Sequence, residues 1–226
     1  MATFVAKKGF KWKRTRHSHR AKQNLEYKLL KQAQLNALKQ VEQLGGIELI
    51  YLDESGCQLW SPASYSYSRK GEQKCLEQTE RRNGRISILG VWQPDKSFKY
   101  ALASGSFKSE SYIKFIDWIA ELALETFRTT GRMTVIVQDN GSLHKSNLTR
   151  QQWQRWRDQG LFLFFLPPYC SEMNRIEDEW HQLKTHEIAG RMFEDEYDLA
   201  LAIMDGMEAR SIEGGYTLER FKFNST

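Results

Sequence analysis

Two apolar runs in this chain each end on an aspartate: Ile47-Glu-Leu-Ile-Tyr-Leu-Asp53 and Met133-Thr-Val-Ile-Val-Gln-Asp139. A third, Leu161-Phe-Leu-Phe-Phe-Leu-Pro-Pro168, precedes Glu177, which opens a helix-like segment. Hard divalent cations such as Mg²⁺ take oxygen ligands and retain several waters. Two strands offering one Asp each, with a nearby helix offering a Glu, can build such an all-oxygen site. A paired-metal version aligns and activates an oxygen nucleophile against a phosphodiester. The same residues also have structural uses. An Asp after a strand commonly serves a turn, and Asp139-Asn140-Gly141 is a good turn sequence. With Asn174 as N-cap, Glu177 falls at the N3 position of a capping-box-like Asn-x-x-Glu, where its charge complements the helix dipole. Neither use excludes a metal role. Glu54 and Asn140 are auxiliary candidates beside the two aspartates, and His144, five residues past Asp139, could contact a phosphate or order the loop.

The elements that must position these groups follow from periodicity. Residues 23–44 carry Leu25, Leu29, Leu38 and Val41 at helical spacing and end at Gly45-Gly46, which predicts a helix with a narrow docking stripe. Strands are expected near 47–53, 58–68, 85–93 and 97–104, with a hairpin turn at 93–96. Residues 110–129 predict a strongly amphipathic helix with Ser109 as N-cap. Then come a strand at 133–138, a helix near 145–158, a strand at 161–166, and helices near 175–189 and 194–210. Pro167-Pro168-Tyr169 stops the third apolar run and forces a turn that aims the Glu177 helix back over the sheet. Ile176, Trp180, Leu183 and Ile188 form one core face of that helix, and Trp153 and Trp156 are expected in the core. Early meandering strands followed by alternating helices and strands predict an α/β fold, a mixed sheet with helices on both faces. An RNase H-like fold satisfies that order.

Charge placement indicates the partner. Residues 1–22 contain Lys7, Lys8, Lys11, Lys13, Arg14, Arg16, Arg20 and Lys22 with no acidic residue, a charge of +8 in a chain of net charge +5, so the remainder carries −3. A basic arm on a mildly acidic body points to a polyanion, most simply nucleic acid, and Phe10 and Trp12 among the cations could stack on bases. A solvated tail is the competing reading of the same arm. Residues 1–45 are read as basic arm and helix, and 46–226 as the α/β domain. Cys57, Cys75 and Cys170 show no paired spacing, which implies a reducing compartment and argues against zinc. No apolar run reaches membrane-spanning length, and the basic N-terminus lacks the apolar core of a secretory signal.

Taken in order, Tyr51-Leu-Asp-Glu-Ser-Gly56, Gln138-Asp-Asn140 with His144-Lys-Ser146, and Leu166-Pro-Pro-Tyr169 with Asn174-Arg-Ile-Glu177, Trp180 and Leu183-Lys184 resemble the mariner-type bacterial insertion-sequence transposases. These are members of the DDE superfamily with the RNase H-like fold. The resemblance runs from about Gly9 to the C-terminus, and 37 residues separate Asp139 from Glu177, near the family spacing. It implies that Asp53, Asp139 and Glu177 are the catalytic triad and bind two Mg²⁺ (or Mn²⁺) ions. It also implies excision and insertion of DNA at TA dinucleotides, double-stranded element ends and target as partners, a homodimer on DNA, and a cytoplasmic, nucleoid-associated location. Two departures stand out: Arg175 replaces the family's usual proline, loosening the helix start, and Gly141 replaces an alanine. The family's paired helix-turn-helix modules do not precede the segment Lys8–His19, which resembles the linker that follows them. A frameshift partner, an internal start and a fragment all fit. The expected activity is metal-dependent cleavage and strand transfer. The alternatives are a non-catalytic DNA-binding relic or regulator and, less closely, another RNase H-like nuclease.

Overall fold

The structure, a computed structural model, describes residues 22–61 and 84–223. Helix α1, Leu25–Gln43, begins where the Asn24 side chain accepts a hydrogen bond from Tyr27 N at 3.0 Å, and Gly45 at φ +74° turns the chain out of it. Strand β1, Ile47–Gln58, is followed by the two-residue β2, Trp60–Ser61. β3, Arg85–Gln93, and β4, Ser97–Ser104, form a hairpin. Its turn is closed by Lys96 N donating to Gln93 O at 3.1 Å. Next come α2, Ser109–Thr130; β5, Met133–Gln138; α3, Asn147–Asp158; and β6, Leu161–Phe165. A 3₁₀ turn, Ser171–Met173, leads to α4, Ile176–Gln182, which continues as a wider π turn over Leu183–Ile188. β7, Arg191–Met192, α5, Glu196–Gly214, and β8, Thr217–Phe221, complete the described chain.

Six strands form one mixed sheet in the order β6-β5-β1-β3-β4-β8. β6, β5 and β1 run parallel, β1, β3 and β4 antiparallel, and β8 parallel to β4. Side chains alternate across it. Leu49, Tyr51, Val135 and Val137 face one layer with Leu35 of α1, Ile176 and Trp180 of α4, Leu183 of the π turn, and Leu199 and Ile203 of α5. Ile50, Leu52 and Ile136 face the other with Phe115 and Ile116 of α2 and Trp156 of α3. Helices therefore cover both faces, as the element order predicts.

The structure corrects several expectations. α1 docks through Leu35, which is fully buried, and Leu38, while Leu25, Leu29 and Val41 lie exposed. The face that touches the sheet includes Lys31, whose ammonium lies 4.3 Å from the Phe164 ring, so a stripe of leucines alone misreads the docking side. α2 has Lys108 at its N-cap position with no side-chain cap, so Ser109 falls inside the helix. The strand expected at 58–68 is instead the end of β1 plus β2, and residues 62–68 lie outside the described segments. Two pairings were not foreseen: β2 with β7, and β8 along β4. Both use short strands with weak alternation, recognisable only once a partner strand is present. Among the described residues no helix is long and apolar enough to cross a membrane.

Candidate functional site

The register of the parallel strands brings the two aspartates together. Tyr51 of β1 is level with Val137 of β5. Carried on by two residues, that register sets Asp53 beside Asp139, and alternation turns both toward the α4 layer. Asp53 is not at the end of its strand, because β1 runs on to Gln58 against β3. It lies instead where β5 stops and β1 loses its parallel neighbour. The carboxyl-end position inferred from the apolar run therefore holds for the parallel part of the sheet alone.

Glu177 reaches the same place because α4 lies unusually close to the sheet. Gly90 is the β3 residue opposite Asp53. A Cβ there would come within 2.6 Å of Trp180 Cη2 and 2.7 Å of Cζ2, so glycine is what admits the indole. Trp180, one turn beyond Glu177, packs edge-on to Phe98 at 5.4 Å. The other end of the attachment is Asn174, a buried residue whose Nδ2 donates to Leu52 O at 2.8 Å, next to Asp53. This replaces the expected capping box. Arg175 occupies the N-cap position of α4, there is no side-chain cap, and Glu177 is the second residue of the helix. The Asn174 Nδ2 thus serves a strand carbonyl, while its Oδ1, the atom a cap would use, is buried without a hydrogen-bond partner.

Asp53, Asp139 and Glu177 line one cavity of about 430 Å³ with Asn140, Gly141, the Leu166–Ser171 turn and Asn174. The electrostatics follow from that convergence. Burial, then the charge of Glu177 and that of Asp139, push the Asp53 carboxyl up to about 7, against a stabilising hydrogen bond from the Glu54 backbone. Burial also raises Glu177, with Asp139 adding repulsion and Lys184 opposing it. Asp139 is shifted the other way, first by its hydrogen bond with His144. His144 Nδ1 lies 2.8 Å from Asp139 Oδ1, and Gly141 N donates to the same oxygen at 2.8 Å. The imidazole is buried and lies 4.9 Å, centroid to centroid, from the Tyr112 ring. Tyr112 in turn donates to Gln138 Oε1 at 2.7 Å. Of the two roles open to His144, ordering the loop is the one this geometry supports. Asn140 is fixed by its Nδ2, which donates to Leu166 O.

The donor set is suited to a hard cation. Besides the three carboxylates, the amide oxygens of Asn140 and Asn174 are buried with no hydrogen-bond partner, so the cavity offers five oxygen-bearing side chains to a hard cation, with the Cys170 thiol at its border. Among the described residues no three His, Cys, Asp or Glu side chains are gathered into a ready-made metal clasp. The repulsion among Asp53, Asp139 and Glu177 is what a divalent ion would relieve. Glu54 stands apart: it lines the adjoining groove with Arg85, whose Nη2 is 4.0 Å away, and burial raises its pKa. Cys170 borders the cavity as a buried thiol, raised by burial, with its Sγ near Pro168 O at 3.5 Å. Of the arm, Lys22 is described, 5.5 Å from the Tyr169 ring, while Lys7, Lys8, Lys11, Trp12, Lys13, Arg14, Arg16 and Arg20 lie outside the described residues. Sequence reading missed Asn174 as a tie to the sheet and Gly90 as the seat of Trp180. Both need knowledge of which strand carbonyl and which helix stand opposite.

The fold is similar to that of the mariner Mos1 transposase. Against its paired-end complex with Mg the TM-score is 0.70 at 15% identity, covering 94% of this chain and 63% of that one. Against the complex with Mn it is 0.69 at 13% identity, covering 94% and 64%. The Mos1 catalytic domain alone gives 0.55 at 10% identity, covering 88% and 85%. This chain thus spans somewhat under two-thirds of the paired-end proteins. No curated protein matches its sequence. The sequence model of the DDE superfamily endonucleases matches residues 48–200, a span from the start of β1 into α5 that includes all three converging carboxylates. With this RNase H-like sheet beneath them, the chain belongs to the DDE superfamily of endonucleases.

Proposed function

We propose that this chain carries the catalytic domain of a DNA transposase, which hydrolyses a phosphodiester at the end of a DNA element and transfers the freed 3′-hydroxyl to target DNA. The observation that carries the reading is the convergence of Asp53, Asp139 and Glu177, from β1, the end of β5 and α4, on one cavity. In this reading the three carboxylates hold two Mg²⁺ (or Mn²⁺) ions. Such ions, when bound, lower the pKa of a water and stabilise charge on the leaving oxygen. The protein's own contribution is placement. His144 and Gly141 N fix one oxygen of Asp139, Asn174 ties the start of α4 to β1, and Trp180 on Gly90 keeps Glu177 over the strand ends. Hydrolysis breaks the bond from phosphorus to the 3′ oxygen and leaves a 3′-hydroxyl. In the second step that hydroxyl attacks a target phosphodiester and displaces the target's own 3′ oxygen, so no nucleotide cofactor is consumed.

By likeness to mariner-type enzymes the target is TA, a pyrimidine–purine step that deforms readily. The basic arm supplies sequence-poor phosphate contacts, and two copies act together on paired DNA ends. The test is nicking of an element-end duplex in Mg²⁺ and Mn²⁺. Asp53→Asn and Asp139→Asn should each abolish nicking while leaving duplex binding nearly intact. Near-wild-type cleavage by both variants rejects the site. DNA binding without cleavage in either metal identifies a regulator or relic, and preferential cleavage of RNA–DNA hybrids or four-way junctions identifies a different nuclease.

A further inference from the structure

Two non-glycine residues among those described have positive φ: Asp95 at 60° and Tyr169 at 61°. Asp95 is in the β3–β4 turn, where a short polar side chain tolerates the left-handed region. Tyr169 has no such excuse. It follows Pro168 in the turn leaving β6, at a position where glycine or asparagine would relieve the backbone. Tyr169 is also not a core residue, being 52% exposed. The turn borders the cavity that holds the three carboxylates. Gln23 Nε2 donates to the Tyr169 carbonyl at 2.5 Å and so fixes it from the arm side. The Lys22 ammonium lies 5.5 Å from the ring, and Lys145, across the strand end, lies 4.7 Å from the Phe165 ring. A largely exposed tyrosine with one ammonium over its ring and a second over the neighbouring Phe165, at the rim of a cavity read as phosphodiester-cleaving, matches the platforms on which unpaired bases stack between phosphate contacts. Strain kept at such a rim points to a role for the side chain that imposes it.

We infer that Tyr169 is a nucleobase-stacking residue, its ring receiving an unpaired base of the DNA strand whose phosphate lies over Asp53, Asp139 and Glu177. The inference rests on reading the cavity as a DNA-cleaving site. It adds that the strand is locally unpaired when cut, and that Tyr169 selects DNA that unpairs easily.

The test compares wild type with Tyr169→Phe and Tyr169→Gly. The glycine variant removes the ring and the backbone strain together. Its affinity for a single-stranded oligonucleotide carrying 2-aminopurine should fall about tenfold, with loss of the stacking-dependent fluorescence quench. Its nicking of fully paired ends should fall about tenfold and recover on ends mismatched at the cut. Tyr169→Phe, which keeps the ring, should retain the quench and nick paired ends better than Tyr169→Gly. Wild-type quench and affinity in Tyr169→Gly, a loss equal on paired and mismatched ends, or loss of the quench in Tyr169→Phe each overturns the inference. If wild type nicks no DNA, the cavity reading fails, while the quench, which needs no cleavage, still decides the role of Tyr169.

Discussion

His144 and Asp53 show how much of the proposed chemistry is set one side chain at a time. His144 holds an oxygen of Asp139 from a buried position, the arrangement that orients metal-ligating carboxylates elsewhere. His144→Ala should raise the Mg²⁺ concentration for half-maximal nicking by about tenfold or more, read from a metal titration of the nicking rate. Asp53 has the opposite problem, a carboxyl raised to about 7 by burial and by its acidic neighbours. Without a divalent ion, the folded state keeps that proton between the ordinary aspartate range and about pH 7, whereas the unfolded chain releases it. Stability is therefore lost as pH rises through that window and is lowest above it, with Glu177 adding in the same sense and Asp139 opposing. In EDTA at pH 8, Asp53→Asn should melt roughly 5 °C above wild type, with the gap shrinking as pH falls toward 4. Mg²⁺ should stabilise wild type more at pH 8 than at pH 5. Equal melting of variant and wild type in EDTA at pH 8 would show that the carboxyl is not confined as described.

At the scale of elements, the site depends on how close α4 approaches the sheet. Trp180 rests where a Cβ on Gly90 would stand, and Asn174 ties the start of the helix to β1. Gly90→Ala must push the helix outward or shift Phe98, whose ring carbon would lie 3.0 Å from the new methyl. Overpacking of this kind costs about 1–3 kcal/mol, so denaturant melts should show that loss, and nicking should fall further than stability alone predicts because Glu177 moves with the helix. Asn174→Ala leaves Leu52 O without its donor, at about 1–3 kcal/mol for a buried group. Arg175, expected to loosen the helix start in place of proline, is itself anchored, its guanidinium 5.4 Å from the Trp92 ring. Arg175→Pro should therefore trade one constraint for another, with little change in melting temperature.

For the molecule as a whole, charge is segregated: +8 on residues 1–22 against −3 on the rest. Phosphate contacts release counterions, and each one steepens the salt dependence of binding by about 0.9 in log–log slope. Removing residues 1–20, which carry seven of those cations, should weaken duplex binding and flatten its salt dependence, measured by fluorescence anisotropy across ionic strength. An unchanged slope would mean that the body alone supplies the phosphate contacts. The six-stranded sheet provides the rigid floor, with α2 and α3 under one face and α1, α4 and α5 over the other. That division leaves the carboxylates at the edge where the parallel strands end.

The apolar runs before Asp53 and Asp139 and the helical period through Ile176, Trp180, Leu183 and Ile188 were legible in the chain because burial imposes its period on local sequence. They determined the strand and helix order, the two-faced sheet and the three acidic candidates. Local sequence carries no record of what lies opposite. The β1–β5 register that aligns Asp53 with Asp139, the glycine beneath Trp180 and the bond from Asn174 to a strand carbonyl exist only between segments far apart in the chain. Tertiary packing alone decided them, because hydrogen-bond partners and van der Waals volume are settled only when those segments meet.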